Sequence, residues 1–300
     1  MKIITTSKSG LIGSNVKFDA AISRENCDFS NFQSCKNALD ELNPSAVVHF
    51  AGKLQPSQKE PFKDNLGLLV NNAQIDLNII SACVSLEIKN LLSISSVSAY
   101  GEDASLPYKE AEVLLGRPNI NYYGYSSSKR LTLELTRSAQ LDTGWNYKSI
   151  LLGNIYGPFE KFDLKGTIVG KTIFMIDACI RNSEDLHLWG DGKELRSLTY
   201  VKDLKELMSA VLTDINSPDE MNVGNGELIS IHDLVHLIAR LMDFSGKIVF
   251  DGNISTSPTT SKFADFKEFN SRYPQFQFTR LEEGLIDTIQ WFRHAELRHL

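Results

Sequence analysis

The stretch TSKSGLIG at residues 6–13 directly follows the short apolar run Lys2–Thr6. A strand-like run that ends in spaced glycines predicts a strand, a tight turn and the start of a helix. In dinucleotide sites such a turn lets the backbone approach a pyrophosphate at a helix N-terminus. The spacing matches G-x-x-G-x-x-G, with serine at the first position. The alternative is a strand-to-helix turn without a ligand. We predict a cofactor turn formed by Ser7, Gly10, Leu11, Ile12 and Gly13.

Strand and helix patterns alternate along the first half of the chain. Alternation of this kind requires right-handed crossovers and a parallel sheet with helices on both sides. We therefore predict an α/β fold, a Rossmann-type doubly wound parallel sheet with a smaller C-terminal α/β substrate-binding lobe. The strands, each expected to be buried on both faces, are Lys2–Thr6, Ala46–Phe50, Asn90–Ser95 and Lys148–Leu152.

The helix between the first two strands has clear local signals. Ser30 is expected to cap it, Gln33 to close a capping box, and Pro44 to follow its end. Further helices are predicted near Leu68–Glu87, near Tyr125–Asp142 with its end at Gly144, and from Asp203 and Ser230, the last with Asp233 in a capping box.

The chain is expected to divide into two folded parts. Residues 1–153, joined by about 197–224, are predicted to form the cofactor domain. Residues 154–196 and 225–300 are predicted to form the substrate lobe.

Composition excludes several classes of protein. The 300 residues are 42% hydrophobic and 23% charged, with a net charge of −6, so a nucleic-acid or anionic-membrane surface is not expected. No apolar run approaches the roughly 20 residues that span a bilayer, and the N-terminal residues do not resemble a signal peptide. We expect a cytoplasmic protein without a metal, whose cysteines are reduced thiols: Cys27, Cys35, Cys83 and Cys179.

The first crossover is unusually short. Only fourteen residues separate Gly13 from Asp28, although a complete βαβ unit takes about 30 or more. The first helix or the second strand must therefore be shortened. No acidic residue stands clearly at the end of a second strand to bind ribose hydroxyls, whereas Arg24, with Lys8 nearby, could meet a 2′-phosphate. This favours NADP as the cofactor and leaves NAD possible.

A serine, a tyrosine and a lysine follow in an order that suits carbonyl chemistry. Tyr125 and Lys129 are four residues apart and lie on one face of a helix. An ammonium near a phenol favours the phenolate, so Tyr125 could exchange a proton with a carbonyl–alcohol pair. Ser96 ends a predicted strand, where ligands gather in a doubly wound sheet, and could donate to the same oxygen. The alternatives are a surface Tyr–Lys pair and a turn-forming serine.

With these features in this order, the chain resembles the extended short-chain dehydrogenase/reductase (NAD-dependent epimerase/dehydratase) family that acts on nucleotide sugars. The resemblance covers nearly the whole chain. Within the family, the chain is most similar in general to the fucose-synthase branch. It is carried by the motifs VVHFAG at 47–52, CDFS at 27–30, GNIYGP at 153–158, LWGDG at 188–192, YVKD at 200–203, MNVG at 221–224 and LEEGL at 281–285.

The resemblance implies further site residues, an oligomeric state and a biological role. The cofactor would be contacted by Asp28, Phe50, Ala51, Gly52, Asn72 and Lys129. The nucleotide-sugar substrate would be contacted by Ser98, Asn154, Trp189 and Arg196. The family also implies a homodimer formed by the two long helices, and a role in cell-surface polysaccharide biosynthesis.

Departures from the family pattern narrow the chemistry. Dehydratases carry an Asp-Glu pair after the catalytic hydroxyl residue, where this chain has Val97 and Ser98. The fucose-synthase branch epimerises C3 and C5 with a Cys and a His, where this chain has Ser98 and Thr167. The leading hypothesis is an NADP-dependent 4-ketoreductase for a nucleotide-activated (6-deoxy)hexose. The alternatives are an NAD-dependent nucleotide-sugar 4-epimerase and a non-catalytic sensor on the same fold.

Overall fold

A computed structural model of the chain describes residues 1–54, 63–252 and 261–296. The strands in chain order are β1 Ile3–Thr5, β2 Ala20–Ala21, β3 Ala46–His49, β4 Asn90–Ser96, β5 Asn146–Leu152, β6 Asn154–Tyr156, β7 Leu186–Leu188, β8 Leu195–Tyr200, β9 Glu220–Val223, β10 Leu228–Ser230 and β11 Ile248–Phe250. The helices are α1 Gly10–Asn15, α2 Phe32–Leu42, α3 Asn65–Ser85, α4 Tyr123–Thr143, α5 Ile168–Asn182, α6 Leu204–Thr213, α7 Ile231–Leu241, α8 Lys267–Arg272 and α9 Leu281–Glu296.

The main sheet is parallel throughout, in the order β2-β1-β3-β4-β5-β9. Successive strand residues point to opposite faces, so Leu91 packs in the core beneath α2 and α3, while Leu92 packs in the core beneath α6. Both residues are fully buried. The predicted doubly wound parallel sheet is confirmed.

The second half of the chain adds smaller sheets to this framework. One has the order β10-β8-β6, and the other pairs β11 with β7. Helices α5, α7 and α9 pack with these strands in a core that includes Ile173, Leu234 and Ile289. The division into a cofactor domain and a substrate lobe at the residues given above stays a prediction.

The start of α2 corrects the predicted cap. Asn31 caps the helix, because its Oδ1 accepts a hydrogen bond from the Ser34 amide at 2.9 Å. The Ser30 hydroxyl instead donates to Asp28 at 2.7 Å, and the Gln33 side chain donates to Asn37. The predicted Ser30–Gln33 capping box is therefore wrong, since Ser30 is used by the turn before the helix.

Other local predictions agree with the structure. Helix α4 ends at Gly144, whose φ is +66°, and the Ser230 hydroxyl caps α7 by accepting the Asp233 amide at 3.0 Å. The first crossover is short at both elements, with a six-residue α1 and a two-residue β2. All four cysteines are free thiols. Within the described ranges, no helix has the length and apolar character needed to cross a membrane.

Candidate active site

The glycine turn connects β1 to α1 with the geometry that a dinucleotide turn requires. Gly10 has a φ of +72°, in the left-handed region that favours glycine. A Cβ on Gly13 would stand 3.1 Å from backbone atoms of Ser7 and Lys8, so a larger residue would push α1 away from the turn. Ser7 is not among the described residues with positive φ. Its hydroxyl donates to the Ser9 carbonyl at 3.2 Å, so serine is compatible with the first position.

The segment after β3 is held by Thr6, which leads into the glycine turn. The Thr6 hydroxyl accepts hydrogen bonds from the amides of Phe50 and Ala51, both at 3.0 Å. A hydroxyl has two acceptor lone pairs and one proton, so the Thr6 proton points to His49 Nδ1, 2.9 Å away. His49 then carries its own proton on Nε2. Phe50 and Ala51 are thereby fixed beside the glycine turn.

His49 continues into a buried network that the sequence did not reveal. Its Nε2 donates to Asp76 Oδ1 at 2.9 Å, and the Thr132 hydroxyl donates to Asp76 Oδ2 at 2.5 Å. His49 and Asp76 are each 2% exposed. Asp76 lies on α3 and Thr132 on α4, so the network joins strand β3, and the residue that directly follows β1, to two helices.

Asn72 joins the segment after β3 to α4. Its Oδ1 accepts from the Lys53 amide at 2.7 Å, and its Nδ2 donates to the Lys53 carbonyl at 3.0 Å and to the Ser128 hydroxyl at 3.2 Å. Ser128 in turn donates to the Tyr125 carbonyl at 2.8 Å. A Cβ on Gly52 would be 3.4 Å from Asn72 Oδ1. Asn72 therefore holds Gly52 and Lys53 at a fixed position relative to the turn that carries Tyr125.

The segment after β2 carries two of the residues predicted to contact the cofactor, Arg24 and Asp28. Arg24 is exposed there. Lys8 Nζ contacts Glu25 Oε2 at 2.5 Å. Hydrogen bonds from the hydroxyl and then the amide of Ser30 lower the pKa of the Asp28 carboxyl. Since Asp28 is used by its own turn and Lys8 pairs with Glu25, Arg24 is the stronger candidate for a 2′-phosphate.

Lys129 lies against the carboxyl end of β4, the strand that ends at Ser96. Ser96 is the last residue of β4, and its Oγ accepts from the Ser98 amide at 3.1 Å. Lys129 Nζ donates to the Ile94 carbonyl at 3.1 Å, and the Ser95 hydroxyl donates to the Lys129 carbonyl at 2.9 Å. These bonds hold α4 against the end of β4, where a doubly wound sheet binds its ligands.

Tyr125 lies one helical turn before Lys129 on α4. The Tyr125 side chain is partly exposed, whereas Lys129 is 9% exposed. A phenol that a substrate can reach is able to donate a proton to a carbonyl oxygen, and a nearby ammonium stabilises the phenolate that is left. Ser96, on the strand beneath α4, supplies a second hydrogen-bonding group. The arrangement fits proton transfer at a carbonyl–alcohol pair.

Asn154 and Arg196 lie on neighbouring strands, β6 and β8. Asn154 Nδ2 donates to the Ser197 carbonyl at 3.2 Å, and Arg196 Nη1 donates to the Leu195 carbonyl at 2.9 Å. Burial lowers the pKa of Arg196. A partly buried guanidinium is suited to a phosphate, which it can bind with two parallel hydrogen bonds.

Lys262 is a second cation at this place, and the sequence did not indicate it. Lys262 forms a β-bridge with Arg196, and its Nζ is 4.4 Å from the centroid of the Tyr122 ring. Burial and then Arg196 lower the pKa of Lys262 to about 8. Two neighbouring cations of this kind favour an anionic ligand. Tyr122 directly precedes α4, so the pair lies near the helix that carries Tyr125.

Trp189 and Ser98 complete the predicted substrate contacts. Trp189 follows β7, is 45% exposed, and has Lys171 Nζ 5.9 Å from its ring centroid. Ser98 lies in the 3₁₀ turn 97–99 directly after Ser96. Trp189 is thus available for stacking, while Ser98 adjoins the catalytic serine candidate.

Known proteins resemble this chain over most of its length. The NAD dependent epimerase/dehydratase family model matches residues 4–224. A GDP-L-fucose synthase of Dictyostelium discoideum is 26% identical over 304 residues, which cover 97% of this chain and 94% of that protein.

Solved structures share the fold. A GDP-L-fucose synthetase from Naegleria fowleri bound to NADP superposes with a TM-score of 0.89 at 21% identity, covering 98% of this chain and 93% of that chain. MlghC, a GDP-mannoheptose C4 reductase from Campylobacter jejuni with NADP bound, superposes with a TM-score of 0.83 at 19% identity, covering 97% and 98% of the two chains.

Proposed function

The chain belongs to the NAD dependent epimerase/dehydratase family, and from that premise we propose that it is an NADP-dependent 4-ketoreductase acting on a nucleotide-activated (6-deoxy)hexose. The main support is the packing of Lys129 against the end of β4, the strand that ends at Ser96, with Tyr125 one turn away on α4. This set supplies proton transfer at one carbonyl and requires no further acid or base.

The residues around this set argue against dehydration and against epimerisation at C3 and C5. Val97 and Ser98 occupy the positions of the dehydratase acid–base pair, and neither is an acid or a base near neutral pH. Thr167, at the N-terminus of α5, and Ser98 occupy the positions of the epimerising His and Cys. Hydride chemistry at C4 is what these side chains support.

Each catalytic residue has a distinct role in the proposed reduction. When bound, NADPH supplies a hydride to C4 of the keto sugar. Tyr125 donates its phenolic proton to the C4 oxygen, so the carbonyl becomes an alcohol. Ser96 donates a hydrogen bond to this oxygen as charge develops on it. Lys129 stabilises the phenolate of Tyr125 and contacts the cofactor ribose.

The chain offers a fitting place for the cofactor. The close approach of α1 to the turn at Gly13, and the positive φ of Gly10, leave the backbone open to a pyrophosphate. We propose that the residues which hold it are Ser7, Gly10, Leu11, Ile12, Gly13, Arg24, Asp28, Phe50, Ala51, Gly52, Asn72 and Lys129.

The substrate is proposed to bind across the smaller sheets. Arg196 and Lys262 would bind the diphosphate, Trp189 would stack on the base, and Asn154 and Ser98 would contact the sugar end. Because the Dictyostelium relative is named for a GDP sugar, GDP-linked 4-keto sugars are the first substrates to test.

Tyr125→Phe tests the mechanism, because it removes only the donated proton. We expect NADPH oxidation with 4-keto sugar nucleotides to fall by about 100-fold or more, while NADPH still binds. Tyr123→Phe is the matched control, since Tyr123 is a 44% exposed tyrosine on the same helix, and it should keep full activity. Full activity in Tyr125→Phe would overturn the mechanism.

Two measurements distinguish the alternatives. A 4-epimerase uses the same three residues, and it would release tightly held NAD on denaturation and consume no added NADPH. A sensor protein would show neither activity. If no nicotinamide nucleotide raised the melting temperature, the sensor interpretation would replace ours.

The setting of the enzyme is part of the proposal. We propose a cytoplasmic homodimer whose product is used in cell-surface polysaccharide biosynthesis. The free cysteines support a reducing compartment. Exposed apolar side chains on α3 and α4, including Leu66 and Leu141 at 74% and 71% exposure, support an interface there.

A further inference from the structure

Two histidines stand together on the exposed face of α7, in a region that the proposed reaction does not use. His232 and His236 are one helical turn apart, and their Nε2 atoms are 3.1 Å from each other. Both side chains are exposed. Two metal–nitrogen bonds of about 2.0–2.1 Å at an angle of about 90–110° place their nitrogens about 2.8–3.4 Å apart. The observed separation therefore suits two ligands of one metal ion.

The His232 ring is already oriented for metal coordination. Asp233 Oδ1 is 3.1 Å from His232 Nδ1, and Asp233 Oδ2 accepts a hydrogen bond from the Ser230 hydroxyl at 2.7 Å. The Nδ1 proton is thus held by a carboxylate, so His232 Nε2 carries a lone pair that accepts the hydrogen bond from His236 Nε2 and can bind an ion in its place. A carboxylate behind a metal-binding histidine is a common second partner. The ring also stacks on Phe250, with centroids 5.4 Å apart.

We propose that His232 and His236 form a binding site for a late divalent transition metal ion. The neutral imidazole of His236 moves its proton from Nε2 to Nδ1, and the ion takes the place of the shared proton. Imidazole nitrogens prefer Cu²⁺, Ni²⁺ and Zn²⁺ to Mg²⁺ and Ca²⁺, with Cu²⁺ the tightest. No group of three or more His, Cys, Asp and Glu that could hold one metal ion occurs in the described parts of the chain, so water fills the other coordination positions.

The site is connected to the turn that carries Trp189. The His232 amide donates to the Gly192 carbonyl at 2.9 Å. A Cβ on Gly192 would be 2.8 Å from the Phe250 ring and 3.1 Å from His232 Cβ. A bound ion fixes the first two turns of α7, and so stabilises the contact between α7 and this turn.

Isothermal titration with Ni²⁺ of the chain without an affinity tag tests the proposal. We expect one ion per chain, and a loss of affinity of at least about ten-fold in either His232→Gln or His236→Gln, because a lone imidazole lacks the second ligand. His294→Gln is the matched control. His294 is exposed on α9, and the sequence has no histidine three or four positions before or after it, so this variant should bind like the wild type.

The melting temperature provides a second test of the site. Ni²⁺ should raise the melting temperature of the wild type and of His294→Gln, but not of the other two variants. Failure of the wild type to bind Ni²⁺, or unchanged binding in both His232→Gln and His236→Gln, would overturn the site. Because no cofactor or substrate is present, these outcomes do not depend on the proposed reductase.

Discussion

Glu160 is a carboxyl in the protein interior, 6% exposed, against the N-terminal part of α5. A Cβ on Gly170 would be 3.0 Å from both Cγ and Cδ of Glu160, so the helix closely covers the side chain. Burial raises the pKa of Glu160 to about 8, and the amides of Gly170 and Gly157 oppose it only in part. The native state therefore keeps this proton at pH values where the unfolded chain has lost it.

This carboxyl makes stability fall as the pH rises. Between the ordinary value of 4.5 and about 8, the native state binds more protons than the unfolded state, so the free energy of unfolding decreases. Glu160→Gln removes the ionisation. We expect the variant to match the wild type near pH 5 and to exceed it by up to about 4 kcal/mol above pH 8 in urea denaturation. Glu184→Gln, an exposed control, should follow the wild type; a constant difference for Glu160→Gln would contradict the buried ionisation.

Arg130 joins helix α4 to two loops beside the candidate active site. Its Nε donates to the Ala99 carbonyl at 2.6 Å, and its terminal nitrogens donate to the carbonyls of Gly116 and Leu115 at 2.8 and 2.9 Å. Ala99 belongs to the 3₁₀ turn 97–99, which directly follows Ser96. Arg130 therefore fixes the end of β4 relative to the turn of α4 that contains Lys129.

Arg130→Met should loosen this connection. We expect kcat to fall by about ten-fold, because a small displacement of catalytic groups is costly. Stability should fall by about 1–3 kcal/mol from the unpaired carbonyls. The Kd for NADPH should stay unchanged, since Arg130 contacts neither the glycine turn nor the segment after β3. Arg137→Met, at an exposed arginine of the same helix, is the control. An unchanged kcat in Arg130→Met would show that this contact does not position the site.

Helices and strands could be predicted where the sequence has a clear hydrophobic pattern or a residue that ends a helix. Buried strands such as Ala46–His49 are mainly apolar, and α4 ends at Gly144, a residue that favours the left-handed conformation found there. The prediction of the α2 N-cap was wrong because serine and asparagine are both favoured at this position. Which of Ser30 and Asn31 caps the helix depends on the turn at Asp28, which uses the Ser30 hydroxyl. Strand β6 has three residues, too few to show a period.

At the scale of the whole molecule, the groove between α3 and α4 is the proposed dimer surface. Leu77 is 41% exposed there, and Leu135 and Ala139 line the groove with it. Leu77→Glu should weaken the dimer by about ten-fold or more, because it places a charge in an apolar contact. Light scattering after gel filtration measures this. Ile215→Glu, at a 76% exposed residue outside both helices, should stay dimeric; a monomeric wild type would contradict the interface.

The parts of the site that could not be predicted from the sequence depend on contacts between residues far apart in the chain. Ser96, Tyr125 and Lys129 could be found because each stands in a local motif. The network of Thr6, His49, Asp76 and Thr132 joins residues 27 to 56 positions apart, and no local spacing indicates it. Lys262 reaches Arg196 only through the folding of the second half of the chain.

The central claim is reduction at C4 without epimerisation, and isotope tracing tests it most directly. The enzyme would be given a GDP-linked 4-keto-6-deoxyhexose with NADPH deuterated at nicotinamide C4, and in parallel with unlabelled NADPH in D₂O. We predict one deuterium at C4 of the sugar from the labelled cofactor, with NADPH consumed in equal amount. No solvent deuterium should enter at C3 or C5 during turnover beyond that in an enzyme-free control. Solvent deuterium at those carbons, or the absence of cofactor deuterium at C4, would contradict the account.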